Sequence, residues 1–389
     1  EFAYDDRDRA VRSTHLDGAE DVTIAYEEGL TRRVTDGRGN TTEFALDAKH
    51  GMGRVAASAG GGCGSCPASS GGSFSTDDRF RVETRTDDRG HVTRHAYDDR
   101  GNVLSVTEAE GTAEERTTEF AWHPEFNLPT SVTRPSVSGG TVVDEYEYDA
   151  NGNLLRLTEA VGTTLERTTT FAWDGYGRMT GIDGPRADAT DTATFAYYPA
   201  AQGGQLHTVT NGEGHVTTFQ EYDAFGNPRT VTDPNGVSTT FVHDAMGRTV
   251  SETTAGLTAE YVYDDAGRLE TIVLPGNRIV SYERTASGLL KSIGDNAGNS
   301  IVFSRDAEGN PIREEVRGAG DALEKYVDYE YDGFNRLWKV LHPGDGSPYE
   351  EYGYDGNDNP TSFRNANGHA TNFVYDALDR LETEIRPGG

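Results

Sequence analysis

The sequence is poor in what structural zinc sites, disulfide-stapled modules and membrane spans are built from. It has 2 Cys, 3 Met and 3 Trp in 389 residues. Two cysteines cannot supply a four-ligand structural zinc site, and they make no disulfide framework. No apolar run approaches the ~18 residues that cross a bilayer as a helix, so membrane insertion by a helix is not expected. No segment sustains a 3.6-residue hydrophobic period, which leaves almost no room for helix. Basic charge is scarce as well: 35 Lys and Arg against 65 Asp and Glu give a net charge of −30. Such a surface opposes nucleic-acid binding, which needs cations to neutralise phosphates, and it opposes docking on anionic lipid. The charge favours solubility and would hold divalent cations only loosely.

Glycine and aromatics are abundant. There are 47 Gly, 19 Tyr and 15 Phe. Apolar residues make up 34%, or about 46% with glycine included, which is the range of folded chains rather than of disordered polymers. Aromatic and β-branched residues fit pleated sheets, and glycine fits turns. The chain starts at Glu1 inside a repeat and shows no signal peptide, so both ends are expected to be cuts from a longer chain.

Self-similarity organises the rest. "YDDAGRLETIVLPG" (263–276), "YDGFNRLWKVLHPG" (331–344) and "YDALDRLETEIRPG" (375–388) are the same phrase. Marking the Asp, or its stand-in, that follows an aromatic gives Asp5, Glu27, Asp47, Asp77, Asp98, His123, Asp149, Asp174, Tyr198, Asp223, Asp244, Asp264, Glu283, Asp306, Asp332, Asp355 and Asp376. The steps are mostly 19 to 26 residues, which predicts one array of about seventeen units over 1–389. The one long step surrounds a Gly/Ser/Cys-rich stretch, read as a loop inserted at 57–73.

Before each Asp, aromatics stand two apart, as in Phe2/Tyr4, Tyr146/Tyr148, Phe171/Trp173 and Tyr329/Tyr331, which puts both rings on one face of a strand. Asp-x-x-Gly follows. Asp suits the first place of a type I turn, and Gly supplies φ > 0 at the fourth, a common hairpin connection. Where Gly is missing, Asn335, Asp358 and Asp379 stand instead, residues that tolerate the left-handed conformation. After the turn, apolar residues recur three apart (Val103/Val106, Leu154/Leu157, Leu269/Ile272), which predicts a β-bulge. A second turn, often Asp/Asn-Gly, leads through a Thr-rich strand to the next aromatic pair. The anchors expected to hold the array are the pairs Tyr4–Asp5, Tyr97–Asp98, Tyr148–Asp149, Trp173–Asp174, Tyr222–Asp223, Tyr263–Asp264, Tyr331–Asp332, Tyr354–Asp355 and Tyr375–Asp376. The fold class expected is all-β: about thirty short antiparallel strands in tandem hairpins.

Aromatic-Asp-x-x-Gly-Arg-Leu followed by Pro-Gly, iterated at about twenty residues, resembles the YD-repeat or RHS-repeat family. The resemblance covers essentially the whole chain and is sharpest in the last third. It implies a continuous β-strip spiralling into a hollow shell. It also implies kinship with bacterial polymorphic toxins, insecticidal toxin-complex shells and teneurins. In such toxins the shell encloses a C-terminal toxin segment, which an autoproteolytic core domain cuts free. "DPNG" at 233–236 superficially resembles part of that core, but it falls at the second turn of an ordinary repeat, and the protease residues have no matching positions here.

Candidate chemistry is thin. Cys63 and Cys66 form a Cys-x-x-Cys inside "GGGCGSCPASSGG", and only His50 is near enough to add a ligand. The pair is expected as free thiols or a local disulfide in a loop. His91, His215 and His369 share one turn place, which reflects turn preference rather than a converging site. "DANGN" at 149–153 starts like an EF-hand loop but lacks the later Gly and Glu, so acidic turns would bind calcium weakly at most. With no nucleophile elbow, phosphate loop or zinc-protease helix, no enzyme and no cofactor are expected.

The role expected is therefore structural: the repeat region of a secreted or cell-surface bacterial RHS protein, walling in or presenting a toxin or partner. Its partners would be its own flanking domains or a C-terminal toxin. The competing reading is an extracellular fibre or adhesin that self-associates through the ends of the strip and binds protein or carbohydrate.

Overall fold

The computed structural model describes residues 1–14, 21–49, 52–60, 72–136, 139–186, 190–342 and 350–387. Among these residues it is all-β: 34 strands in one antiparallel sheet and a single 3-10 turn at Ala200–Gln202. The chain divides into two compact units. The first comprises Glu1–Ala96, Val106–Arg116 and Ser281–Gly389; the second comprises Tyr97–Ser105 and Thr117–Val280. Both are made of the same hairpins.

One repeat of the second unit shows how the sequence folds locally. Strand Thr141–Tyr148 pairs with strand Leu154–Glu159. Between them the Asp149 N–H donates to the Asn153 carbonyl (2.9 Å) and the Gly152 N–H to the Asp149 carbonyl (3.0 Å). Gly152 sits at φ 85°, which a side chain resists. The Asp149 carboxylate completes the turn: Oδ1 accepts from the amides of Asn151 and Asn153, and Oδ2 from the Asn153 side-chain amide. The fifth residue of the turn is thus a partner of the first. It is Asn in some repeats and Arg in others, as with Arg268 and Arg380 donating Nε to Asp264 and Asp376.

The register then shifts. Tyr148 faces Leu154 but Glu147 faces Arg156, so Leu155 is extra. The same bulge follows Trp173, Tyr263, Tyr331, Tyr354 and Tyr375, and it is the reason apolar residues recur three apart. The first strand residue after a turn keeps a free carbonyl, and the aromatic of the next repeat takes it. Trp173 Nε1 donates to the Leu154 carbonyl (2.8 Å), Tyr263 Oη to Thr249 (2.8 Å) and Tyr354 Oη to Leu337 (2.8 Å). These repeats are therefore tied to the ones before them by a hydrogen bond as well as by the ladder.

Three positions of the aromatic-Asp series differ from expectation. Asp47 lies within strand Thr41–Lys49, opposite Arg54, because that hairpin runs on past the place of the usual turn. Glu283 lies in strand Arg278–Arg284, and Thr285 opens the turn instead. Tyr198 precedes the 3-10 turn, its N–H bonded to Gln205. His123 does organise a turn, with Nδ1 accepting from the amides of Glu125 and Phe126. The insertion is narrower than 57–73, since Met52–Gly60 is one strand and Ser73–Thr76 the next. Cys63 and Cys66 lie outside the described residues.

Little is buried. Among the described residues the buried apolar side chains are Phe80, Ala109 and Val340. Apart from the exposed Phe2 and Tyr4, the rings two apart share a half-buried face, while intervening residues such as Val242 (57% exposed) face solvent. Stability rests on cross-strand pairs and on hydrogen-bonded turns more than on a core.

Two predictions follow from the turns. Ala255 (φ 51°) and Gly256 (φ 80°) form a two-residue hairpin turn between Thr254 and Leu257. Such turns favour Asn-Gly, and alanine is strained there. Ala255→Asn is expected to stabilise the chain by about 0.5–1 kcal/mol, read as a higher urea midpoint.

The second concerns acid. Turn bonds hold the carboxyls of Asp5, Asp149, Asp174, Asp223, Asp244, Asp264 and Asp295 below the usual range, with Asp5 at about 2. In Asp77, Asp98 and Asp376 burial is the largest influence and pushes upward, but the turn bonds together outweigh it. A carboxyl depressed on folding lends stability that is present above its unfolded pKa of about 4 and lost as pH falls through the folded value. Thermal midpoints are expected to hold from neutrality to about pH 4 and then fall steeply. A flat profile down to pH 2 would refute the turn assignment.

Candidate functional site: the arginine seam

The third residue of each turn points away from the hairpin, so it can reach other turns. Within the first unit two return turns, meaning second turns of their repeats, use it that way. Asp36–Asn40 carries Arg38 there, and Asp87–His91 carries Arg89. Arg38 Nη1 donates to the Asp332 carbonyl (3.0 Å) and to Asn335 Oδ1 (2.9 Å), and Nη2 donates to the Tyr331 carbonyl (3.1 Å). Arg89 repeats the grip on the Asp376 carbonyl (2.9 Å), Asp379 Oδ1 (2.7 Å) and the Tyr375 carbonyl (3.0 Å). Early and late repeats of the first unit are thus locked turn on turn, across separations of 294 and 287 residues.

Both receiving turns lack glycine at the fourth place. Asn335 and Asp379 stand there at φ 63° and 57°. The third such residue, Asp358 (φ 66°), accepts from Arg336 Nη1 (2.8 Å). At these three places the departure from glycine does more than tolerate a left-handed backbone: Asn335, Asp358 and Asp379 each supply an oxygen to an arginine from another turn.

A second line of contacts fills the seam. Asn357 Nδ2 donates to Asp87 Oδ2 (2.7 Å) and to Asp379, and Asn359 Nδ2 also donates to Asp379 (2.8 Å). Burial pushes the Asp379 carboxyl up, but the bonds from Asn357, Asn359 and Arg89 outweigh it and hold the group below its usual range. Glu308 behaves oppositely. Burial, helped by the charges of Asp36 and Asp306, pushes it up. Gly356 is required by contact, since a Cβ there would lie 2.9 Å from the Asp88 Cβ, whereas one on Gly37 would meet only the movable end of Glu308, Oε1 at 2.7 Å. A cleft of about 430 Å³ lies beside the second lock, lined by Arg85, Asp87, His91, Glu108, Asn357 and Asp379 among others.

The anchor residues do not converge. Tyr148, Trp173, Tyr222, Tyr263, Tyr331 and Tyr354 each bond a carbonyl of the preceding repeat, spaced along the sheet. Tyr4 is 61% exposed. Asp98, Asp332, Asp355 and Asp376 each organise their own turn. Among the described residues no group of three or more His, Cys, Asp and Glu could hold a metal ion, and no helix is long and apolar enough to cross a membrane. Arg38 and Arg89 were not among the residues that the sequence singled out. Their signal is Asp-x-Arg-Gly in a return turn, paired with a late turn that lacks its glycine.

The hairpin, its bulge and its aromatic anchor recur where the RHS Repeat family profile matches: residues 148–189, 201–236, 222–259 and 354–389. These four stretches are RHS repeats. It is 28% identical over 352 residues to the tRNA3(Ser)-specific nuclease WapA of Bacillus spizizenii, covering 78% of this chain and 15% of that protein. It is 27% identical over 263 residues to double-stranded DNA deaminase toxin A of Burkholderia cenocepacia, covering 62% and 18%. The chain thus spans less than a fifth of these relatives. In fold it is similar to the crystal structure of TcdB2-TccC3-TEV, with a TM-score of 0.54 and 13% identity over 99% of this chain and 25% of that one. It is also similar to the Photorhabdus luminescens Tc holotoxin pore, with a TM-score of 0.53 and 13% identity over 94% and 26%. The chain is thus similar in fold to Tc toxin structures and, over part of their length, in sequence to a nuclease and a deaminase toxin.

Proposed function

We propose that this RHS stretch is a non-catalytic wall segment of a secreted or cell-surface bacterial protein that encloses or presents a toxin. The observation that carries the reading is the seam. Arginines on two early return turns lock onto two late turns, which is what a wall needs to stay shut. The turn carboxylates are engaged by their own turns. Among the described residues no three His, Cys, Asp or Glu gather as metal ligands. Relatives named for acting on tRNA or DNA would touch those substrates through other parts of their chains, because a net charge of −30 repels phosphate. The partners are then the chain's own flanking domains and a toxin segment. A cofactor has no role in this reading. Added calcium is expected to leave the thermal midpoint unchanged, since it would have to displace the turn's own donors.

The test is electron microscopy of the native full-length protein combined with limited proteolysis. The expected result is hollow particles with internal density, whose toxin segment resists protease until the particle is unfolded. Long regular polymers with nothing enclosed would overturn the wall and favour a fibre.

A further inference from the structure

Asn-Gly occurs at 151–152, 211–212, 235–236 and 367–368. Glycine has no Cβ, so its nitrogen can come close to the side-chain carbon of the asparagine before it. Three of these dipeptides are closed by their turns. Asn151, Asn235 and Asn367 hold the third place, and the glycine after each donates its N–H to the carbonyl of the residue that opens the turn. Gly152 bonds Asp149 (3.0 Å), Gly236 bonds Asp233 (3.0 Å) and Gly368 bonds Asn365 (2.9 Å). Attack by such a nitrogen first requires the turn to open.

Asn211 stands differently. It opens its return turn, as Asp36, Asp87, Asp233 and Asp295 open theirs. Among the described residues the Gly212 N–H donates no hydrogen bond. Asn211 Oδ1 accepts from the amides of Glu213 (3.1 Å) and His215 (2.9 Å). Those amides would stabilise the negative charge that gathers on Oδ1 when Cγ is attacked, as an oxyanion hole does. Asn211 Nδ2, the group that must leave, lies 3.4 Å from His215 Nδ1. Asn211 is exposed, so water reaches the site. Asn365 opens a turn with the same pair of amides, but Ala366 follows it.

We propose that Asn211–Gly212 is a self-modification site, where the folded turn leaves asparagine free to become aspartate or isoaspartate with water as the co-reactant. The Gly212 nitrogen bonds to Asn211 Cγ and loses its proton. The Cγ–Nδ2 bond breaks, and Nδ2 leaves as ammonia with a proton from water or from the protonated His215 ring. Water then opens the succinimide. Breaking its bond to Cγ gives aspartate, which suits the place, as Asp295 bonds both amides of its own turn. Breaking its bond to the backbone carbon gives isoaspartate. The extra backbone carbon displaces the carbonyl that receives the Gly214 amide (2.9 Å) and loosens the hairpin between Leu206–Asn211 and Val216–Tyr222.

The inference does not depend on the wall or its cargo. The test incubates the native full-length protein, and the same protein unfolded in urea, at mildly alkaline pH and follows all four dipeptides by peptide mass mapping. Asn211 is expected to lose ammonia in the native protein at least as fast as in the unfolded one. Asn151, Asn235 and Asn367 are expected to slow about tenfold or more on folding. A native rate at Asn211 below its unfolded rate overturns the site, and so does a failure of the other three to slow. Asn211→Asp should leave the urea midpoint unchanged. Hydrogen exchange at the Gly214 amide should be faster in aged protein enriched in isoaspartate than in that variant, and equal exchange would overturn the loosening of the hairpin.

Discussion

Replacing Arg89 with alanine is expected to cost the folded chain about 3 kcal/mol and to open the seam locally. The guanidinium is only 21% exposed and makes three hydrogen bonds, two to carbonyls and one to the Asp379 carboxylate. Its loss leaves that carboxylate partly buried, with only Asn357 and Asn359 to bond it. The measurement is the urea midpoint together with hydrogen exchange at the amides of turn 376–380, which should quicken while those of the second unit do not. Arg89→Lys should rescue little, because one ammonium cannot span two carbonyls and a carboxylate as a planar fork does. Arg94, paired with Glu110 but 53% exposed, is the control, and Arg94→Ala should leave the midpoint unchanged. If Arg89→Ala behaves like Arg94→Ala, the seam is not a lock.

Asp332→Ala should be comparably damaging, at about 3 kcal/mol. Asp332 is among the most buried acids of the chain, 5% exposed, and its carboxylate accepts from the Phe334 amide (2.8 Å), the Arg336 amide (3.0 Å) and Arg336 Nε (2.8 Å). Removing it strands two amides and leaves Arg336, 15% exposed, with only Asp358 as a charged partner. The damage should spread, because the Asp332 carbonyl also receives Arg38. Asp332→Asn keeps an oxygen for both amides and should lose less than half as much. Asp295 opens an equivalent turn that is more exposed, and Asp295→Ala should cost distinctly less. Equal losses at the two positions would mean that the turn alone, and not its place in the seam, sets the cost.

Neither pH effect in the seam can be read from the other. Asp379 lends stability that is lost on acidification, since its folded pKa is depressed. Glu308, raised by burial and by Asp36 and Asp306, does the reverse and becomes easier to accommodate once protonated. The many turn aspartates decide the sign, so acid weakens the chain as a whole.

The hairpin was legible in the sequence because everything that makes it is local. Asp149 to Asn153 contains both partners of its turn, Gly152 marks the left-handed backbone, and Leu154/Leu157 records the bulge within four residues. Where legibility failed, a local signal had been weakened. Glu283 follows an aromatic as the turn Asp does, yet the strand runs on to Thr285. Asp47 follows an apolar stretch that stays in the ladder.

Which turns meet is a different matter. Arg38, Arg89 and Arg100 all stand in Asp-x-Arg-Gly. Arg100 grips the carbonyls of His123 and Pro124 in the next repeat of the second unit, 23 and 24 residues on. Arg38 and Arg89 reach 294 and 287 residues to turns of the first unit. A guanidinium at the third place of a turn only declares that it will bond carbonyls. The sequence by itself determined the repeat, its turns and its bulge, since those interactions close within a few residues. Only the tertiary structure decided that early and late repeats interlock, because that depends on where the sheet carries each turn in space.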